Sequence, residues 1–93
     1  MSFSILTNDF YHCYLCGRRA QCKHHIYPGS RRRNSELNGF LVPLCDNCHN
    51  MSDEAVHFDR EKDLNLKREC QKKYEETHTR GEFLKLIGRN YLG

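Results

Sequence analysis

Apolar residues in the first half of the chain fall in short clusters, while in the second half they recur at helical spacing. Phe3, Ile5 and Phe10 give a brief lead-in, and Tyr11 to Ala20 predicts a strand or turn in which Gly17 supplies a left-handed position. Lys23 to Tyr27 predicts a short strand that stops at Pro28-Gly29, followed by a basic loop from Ser30 to Ser35. Leu37 to Leu44, containing Phe40, Leu41 and Val42, predicts a second strand that hairpins back onto the first. Pro43 has no amide to donate and belongs at an edge or at the strand's end.

Helical signals follow. A helix is expected to start near His49 or Ser52, with Ser52-Asp53-Glu54 as an N-terminal turn whose acids suit the positive end of the helix dipole. Asp59 can cap a longer helix running to about Glu76, whose buried stripe is Leu66, Cys70 and Tyr74, one residue in every four. Thr79-Arg80-Gly81-Glu82 is a capping box that opens a last helix with Phe83, Leu86 and Ile87 facing inward, ended by Gly88. Strands first and helices afterwards make an α+β chain.

Composition shows what this pattern lacks. With 93 residues, 38% hydrophobic and no Trp, and a mean hydropathy of -0.84, one domain (1–93) is expected, with a core thin enough to need a staple. The cysteines supply one. Cys13-Tyr14-Leu15-Cys16 and Cys45-Asp46-Asn47-Cys48 are two C-x2-C knuckles, and together they offer the four sulfurs of a closed tetrahedral zinc site. The opening Met1 to Leu6 is too short for a signal peptide and lacks a charged leader, and no apolar run could span a membrane. A reducing, cytoplasmic setting is therefore expected, where such pairs bind metal rather than form disulfides. Cys22 reads as a surplus thiol or an alternative ligand, and Cys70 as a core residue.

Histidines add candidate chemistry. His24 and His25 lie between the knuckles, and His49 directly follows the last cysteine of the second. His12 reads as a surface residue or a neighbour of the zinc ligands, and His78 carries no legible signal. The formal net charge is +3, which a bound zinc tetrathiolate lowers to about +1, so overall charge says little about partners. Its distribution says more. Arg18, Arg19, Lys23, Arg31, Arg32 and Arg33 lie between the knuckles, where Glu36 is the only acid, and this basic half suits a polyanion.

Strand, His24-His25-Ile26, loop, strand, Leu44-Cys45-Asp46-Asn47-Cys48-His49, helix: from Cys13 to about Phe58 this order resembles the HNH nuclease family, and in particular its zinc-stapled members. The continuation through Asn50-Met51-Ser52-Asp53 and Val56-His57-Phe58 is similar to small phage and prophage HNH proteins. The resemblance implies a ββα-metal (His-Me finger) core at about 11–58, a Cys13, Cys16, Cys45, Cys48 zinc site and a helical extension at about 59–93. It implies that His24 and His49 hold a catalytic divalent ion, and that His25 is the general base. It also implies a further ligand or water-positioning group from the helix that follows, for which His57, or alternatively Asp53, is the candidate, at i+8 and i+4 from His49 on one helical face. The chain departs from the family in one place. Where many members carry an Asn that steadies the base loop, this chain has Phe40, and Asn38 is the nearest candidate for that role.

The implied activity is hydrolysis of DNA phosphodiester bonds, nicking one strand per active centre in a bacterial or phage-infected cell. Cutting both strands would need two copies or two binding events, and a second copy or a phage protein is a candidate partner. Imidazole ligands suit Mn2+, Ni2+, Co2+ or Zn2+ better than Mg2+, which prefers oxygen. Arg31, Arg32 and Arg33 would clamp flanking phosphates without reading sequence. Two rivals remain: a non-catalytic zinc module that binds DNA or a protein on a degenerate HNH scaffold, and a disulfide-linked secreted domain.

Overall fold

The computed structural model describes residues 3–51, 55–56 and 59–93, without the side chains of Asn50 and Met51. The predicted turn at 52–54 lies outside the described residues, as do Asp53 and His57. The described chain is α+β, a two-stranded antiparallel sheet with helices. β1 is Cys22–His25 and β2 is Leu41–Leu44, paired Cys22 with Leu44, Lys23 with Pro43, His24 with Val42 and His25 with Leu41. The ladder continues one residue beyond each end, Gln21 N–H to the Leu44 carbonyl and Ile26 N–H to the Phe40 carbonyl, both at 2.9 Å. Pro43 is tolerated because its carbonyl still accepts from Tyr14 N–H at 2.8 Å, which ties the first knuckle to the sheet.

The link between the strands differs from the expectation. Instead of a basic loop and a long second strand, a 3-10 turn (Gly29–Arg31) runs into a helix, α1 (Arg32–Asn38), and only Leu41–Leu44 is strand. Nothing periodic marks α1, because its stability comes from elsewhere in the fold. The hydroxyl of Ser35, fully buried, donates to the Tyr27 carbonyl at 2.8 Å, and the Asn34 amide donates to the Leu86 carbonyl at 2.7 Å. Gly39 (φ 75) ends the helix in a left-handed conformation, and a Cβ there would lie 2.6 Å from the Phe3 ring.

Two further helices close the core. α2 (Arg60–Tyr74) is capped by the Asp59 carboxylate, which accepts from Glu61 and Lys62 N–H, and it buries Leu66, Cys70 and Tyr74 as expected, stopping two residues short of Glu76. α3 (Arg80–Ile87) opens on the Thr79–Glu82 capping box and buries Phe83 and Ile87, and Gly88 (φ 81) is its C-cap. Phe40 is fully buried at the centre. Its ring meets Tyr74 edge-on at 5.3 Å and Tyr27 at 5.6 Å, while Tyr27 meets Phe83 at 5.5 Å. Such edge-to-face pairs each add about 0.5–1.5 kcal/mol beyond the area buried. Among the described residues no helix is long and apolar enough to cross a membrane.

Candidate functional site

Each knuckle is a tight turn held by its own backbone. In the first, Gly17 N–H reaches the Cys13 carbonyl at 2.9 Å with φ 79 at the glycine, and His12 bridges Arg19 across the hairpin. The second leaves β2 at once: Cys45 follows Leu44, Asp46 N–H is held by the Gln21 side chain at 2.8 Å, and His49 N–H bonds the Cys45 carbonyl at 3.0 Å. The result is one cluster. The sulfurs of Cys13, Cys16, Cys45 and Cys48 lie within 4.8 Å of one another, and among the described residues no other group of three or more His, Cys, Asp or Glu converges in this way.

That spacing fits a metal ion. A tetrahedral zinc bound at about 2.3 Å needs sulfurs about 3.8 Å apart, and Cys16 and Cys45 already stand at 3.5 Å. Burial works against ionisation of Cys13, but backbone N–H groups of Cys45, Cys16 and Leu15 outweigh it and bring the thiol down to about 6. Burial and the neighbouring sulfurs push Cys48 the other way. Thiols this crowded cannot all ionise by themselves, and a bound dication removes the conflict.

The two surplus cysteines stay outside the cluster. The Cys22 sulfur donates to the Leu44 carbonyl at 3.4 Å, and burial, with the charge of Asp46 nearby, raises its pKa. Cys70 is fully buried on α2 and pushed up to about 12 by burial.

On the sheet beside the sulfurs, the pleat sends His24 and His25 to opposite faces. His24 is 4% exposed, and its ring packs edge-on against His49 with centroids 5.4 Å apart. His49 sits in a π-type turn, Asn47–Met51, directly after Cys48. A cavity of about 310 Å³ is lined by Lys23, His24, His25, Pro28, Gly29, Arg32 and His49. Three histidines separated by up to 25 positions thus line one cavity with two cations.

His25 also lines an adjoining cavity of about 490 Å³ with Arg32, Arg33 and Glu36. Its Nε2 lies 3.0 Å from Glu36 Oε1. The pattern of the sequence did not single out Glu36; the available signal was that it is the only acid between the knuckles. Its neighbour Ser35, fully buried, fixes the helix face on which it stands.

Other expected participants lie elsewhere. Asn38 donates its amide to the Asn34 carbonyl at 2.8 Å, inside α1, and lines a separate cavity with Phe3, Ile5 and Tyr74. The Arg triplet divides. Arg32 and Arg33 are exposed at the two cavities, whereas Arg31 packs over the end of α3, its Nη2 standing 2.7 Å from where a Cβ on Gly88 would be. A guanidinium there complements the negative end of the helix dipole. His12 is a surface residue paired with Asp9 at 2.8 Å.

Neither a known protein-family model, nor a curated protein, nor a solved structure matches this chain. What can be said of the class comes from the molecule: a small α+β fold with a tetrathiolate site able to hold a metal and a basic, histidine-lined cleft beside it.

Proposed function

We propose that the chain is a metal-dependent endonuclease of HNH type that hydrolyses DNA phosphodiester bonds one strand at a time, on a zinc-stapled ββα-metal scaffold. The observation that carries this reading is the convergence of His24, His25 and His49 with Lys23 and Arg32 on one open cavity beside the tetrathiolate cluster. The chemistry of the donors fits: four sulfurs suit a permanent structural zinc, while imidazoles suit an exchangeable divalent ion. His24 and His49 would hold that ion, with a third group from the 52–58 segment, where Asp53 and His57 are the candidates. Once bound, it would supply Lewis acidity toward the scissile phosphate.

The residues of the chain would do the rest. His25 would take the proton from a water as its oxygen bonds to phosphorus; the P–O3′ bond breaks and the leaving oxygen is protonated from solvent, so the net change is addition of one water. Imidazole is the side chain most often used to take and return a proton in such a step. Arg32 and Arg33 would hold flanking phosphates through charge-assisted bonds that ignore base identity. Lys23 would add a mobile cation at the mouth of the same cavity.

A plasmid-nicking assay with Mn2+, Ni2+ or Mg2+ tests the reading. Wild type should convert supercoiled to open-circular DNA, and His25→Ala should lose at least about 100-fold, the usual contribution of a general base, while retaining its zinc. Equal rates in the two proteins would rule the mechanism out. Tight DNA binding with no nicking in any metal would favour a non-catalytic binding module instead.

A further inference from the structure

We infer that Glu36 is the positioning residue for His25: its carboxylate holds the imidazole in the tautomer that carries hydrogen on Nε2, leaving Nδ1 as the nitrogen that accepts a proton. This rests on the endonuclease reading and adds to it a residue that the motif does not contain.

An ionised Glu only accepts hydrogen bonds, so an imidazole nitrogen 3.0 Å from Glu36 Oε1 carries hydrogen when the ring is neutral. The opposite nitrogen is then the basic one. A histidine without such a partner divides itself between two tautomers and several ring orientations, and only a fraction of molecules are ready to react at any moment.

The contact is held from both sides. The His25 side chain is 13% exposed and the Glu36 side chain 40%. Glu36 is presented by a helix pinned at two other points, Ser35 to the Tyr27 carbonyl and Asn34 to the Leu86 carbonyl. The Ser35 bond reaches the strand's continuation two residues beyond His25, so the helix and the strand are cross-linked at adjacent positions. The amide that the sequence offered for this duty, on Asn38, is occupied within α1. The position where an Asn would otherwise be expected is filled by Phe40, fully buried. Glu36 makes the contact with His25 instead.

Electrostatics gives the inference a signature. Glu36 shares its cavity with Arg32 and Arg33, and a carboxylate there repels the phosphates those cations attract. Removing it should therefore leave DNA binding unchanged or tighter while slowing the chemical step. A residue that only supported the fold would not separate the two effects in this way.

The test uses zinc-loaded wild type, Glu36→Ala and Glu36→Gln, first checked for equal zinc content and melting temperature. Long-range 15N–1H NMR of the histidine rings, recorded where His25 is neutral, should show an Nε2–H tautomer in wild type and Glu36→Gln and a mixture in Glu36→Ala. In nicking assays Glu36→Ala should lower kcat by about 10–100-fold, the usual cost of removing a partner that orients a site residue, with KM unchanged or lower. Glu36→Gln, which keeps a carbonyl acceptor, should recover most of the rate. An unchanged tautomer in Glu36→Ala overturns the inference. So does a Gln variant as slow as the Ala variant with weakened divalent-ion binding, which would make Glu36 a metal ligand. If wild type does not nick at all, the endonuclease reading is lost and this inference goes with it. If wild type nicks, His25→Ala does not, and Glu36→Ala matches wild type, the inference alone is lost.

Discussion

Replacing each of the six cysteines by serine, one at a time, should divide them four against two. Without a metal, and apart from the contacts of the sulfurs themselves, four hydrogen bonds among the described residues tie the segment around the first knuckle to the sheet, the second knuckle and α2: Tyr14 N–H to the Pro43 carbonyl, Gln21 N–H to the Leu44 carbonyl, the Gln21 side chain to Asp46 N–H, and the Tyr14 hydroxyl to Glu69. At about 1 kcal/mol net for each hydrogen bond, they hold that segment by about 4 kcal/mol. A tetrathiolate zinc is worth about 10–16 kcal/mol in small zinc-dependent folds. That matches or exceeds the about 5–14 kcal/mol expected for the total stability of a 93-residue domain. Cys13 and Cys45 also belong to the buried core, so losing the ion opens the core as well as the knuckles.

Serine at Cys13, Cys16, Cys45 or Cys48 should therefore abolish stoichiometric zinc and lower the melting temperature by more than about 15 °C, since each 1 kcal/mol shifts a domain of this size by about 4–8 °C. Cys22→Ser loses one weak S–H bond to the Leu44 carbonyl and should cost less than about 1 kcal/mol. Cys70→Ser buries a hydroxyl and should cost about 1–3 kcal/mol, with zinc unchanged. Elemental analysis after gel filtration, with thermal melts, reads both quantities. A wild-type zinc content and melting point in any of the first four variants would refute the reasoning, as would loss of zinc in either of the last two.

Other substitutions probe the remaining links. Arg32→Ala and Arg33→Ala should each reduce the slope of log affinity against log salt for duplex DNA by about 1, as loss of a phosphate contact does; fluorescence anisotropy should show the slope unchanged for Arg31→Ala, whose guanidinium packs over Gly88. Phe40→Asn, which would introduce the residue type that the resemblance to HNH nucleases leads one to expect there, should not raise activity and should cost at least about 3–5 kcal/mol by urea denaturation, because it empties a fully buried aromatic position. Thr79→Ala removes a side-chain cap from α3 and should cost about 1 kcal/mol in the same assay with no effect on nicking.

The features legible in the sequence were those specified by neighbours in the chain. The cysteine pairs, the Asp59 cap, the Thr79–Glu82 box, the Leu66, Cys70 and Tyr74 stripe and the Gly88 stop all have their partners within a few residues, and all are present in the structure. α1 was hidden because its partners lie far away: Ser35 bonds Tyr27 and Asn34 bonds Leu86, while Leu37, the residue that made 37–44 look like one apolar strand, is 62% exposed. A Ser/Arg/Asn run of this kind has loop composition, and only tertiary hydrogen bonds make it helical. The division of the Arg triplet and the approach of Glu36 to His25 both follow from that helix, so neither was visible without it.

The placement of α1 also explains how so small a sheet can carry a cleft. Two four-residue strands alone make a ribbon whose faces are open to solvent. Packing a helix between them in sequence raises a wall on one side, formed by Gly29, Arg32 and Glu36, while the turn after Cys48 raises the other with His49. The first wall is anchored by hydrogen bonds to Tyr27 and Leu86, and the second grows directly from a sulfur ligand. The separation of His24 from His49 therefore depends on the tetrathiolate cluster, one residue away, whereas the orientation of His25 depends on the helical core. On the proposed reading, metal grip and base alignment would thus be set by different parts of the molecule, so that the sulfur site could fix geometry while the imidazole site exchanged its ion.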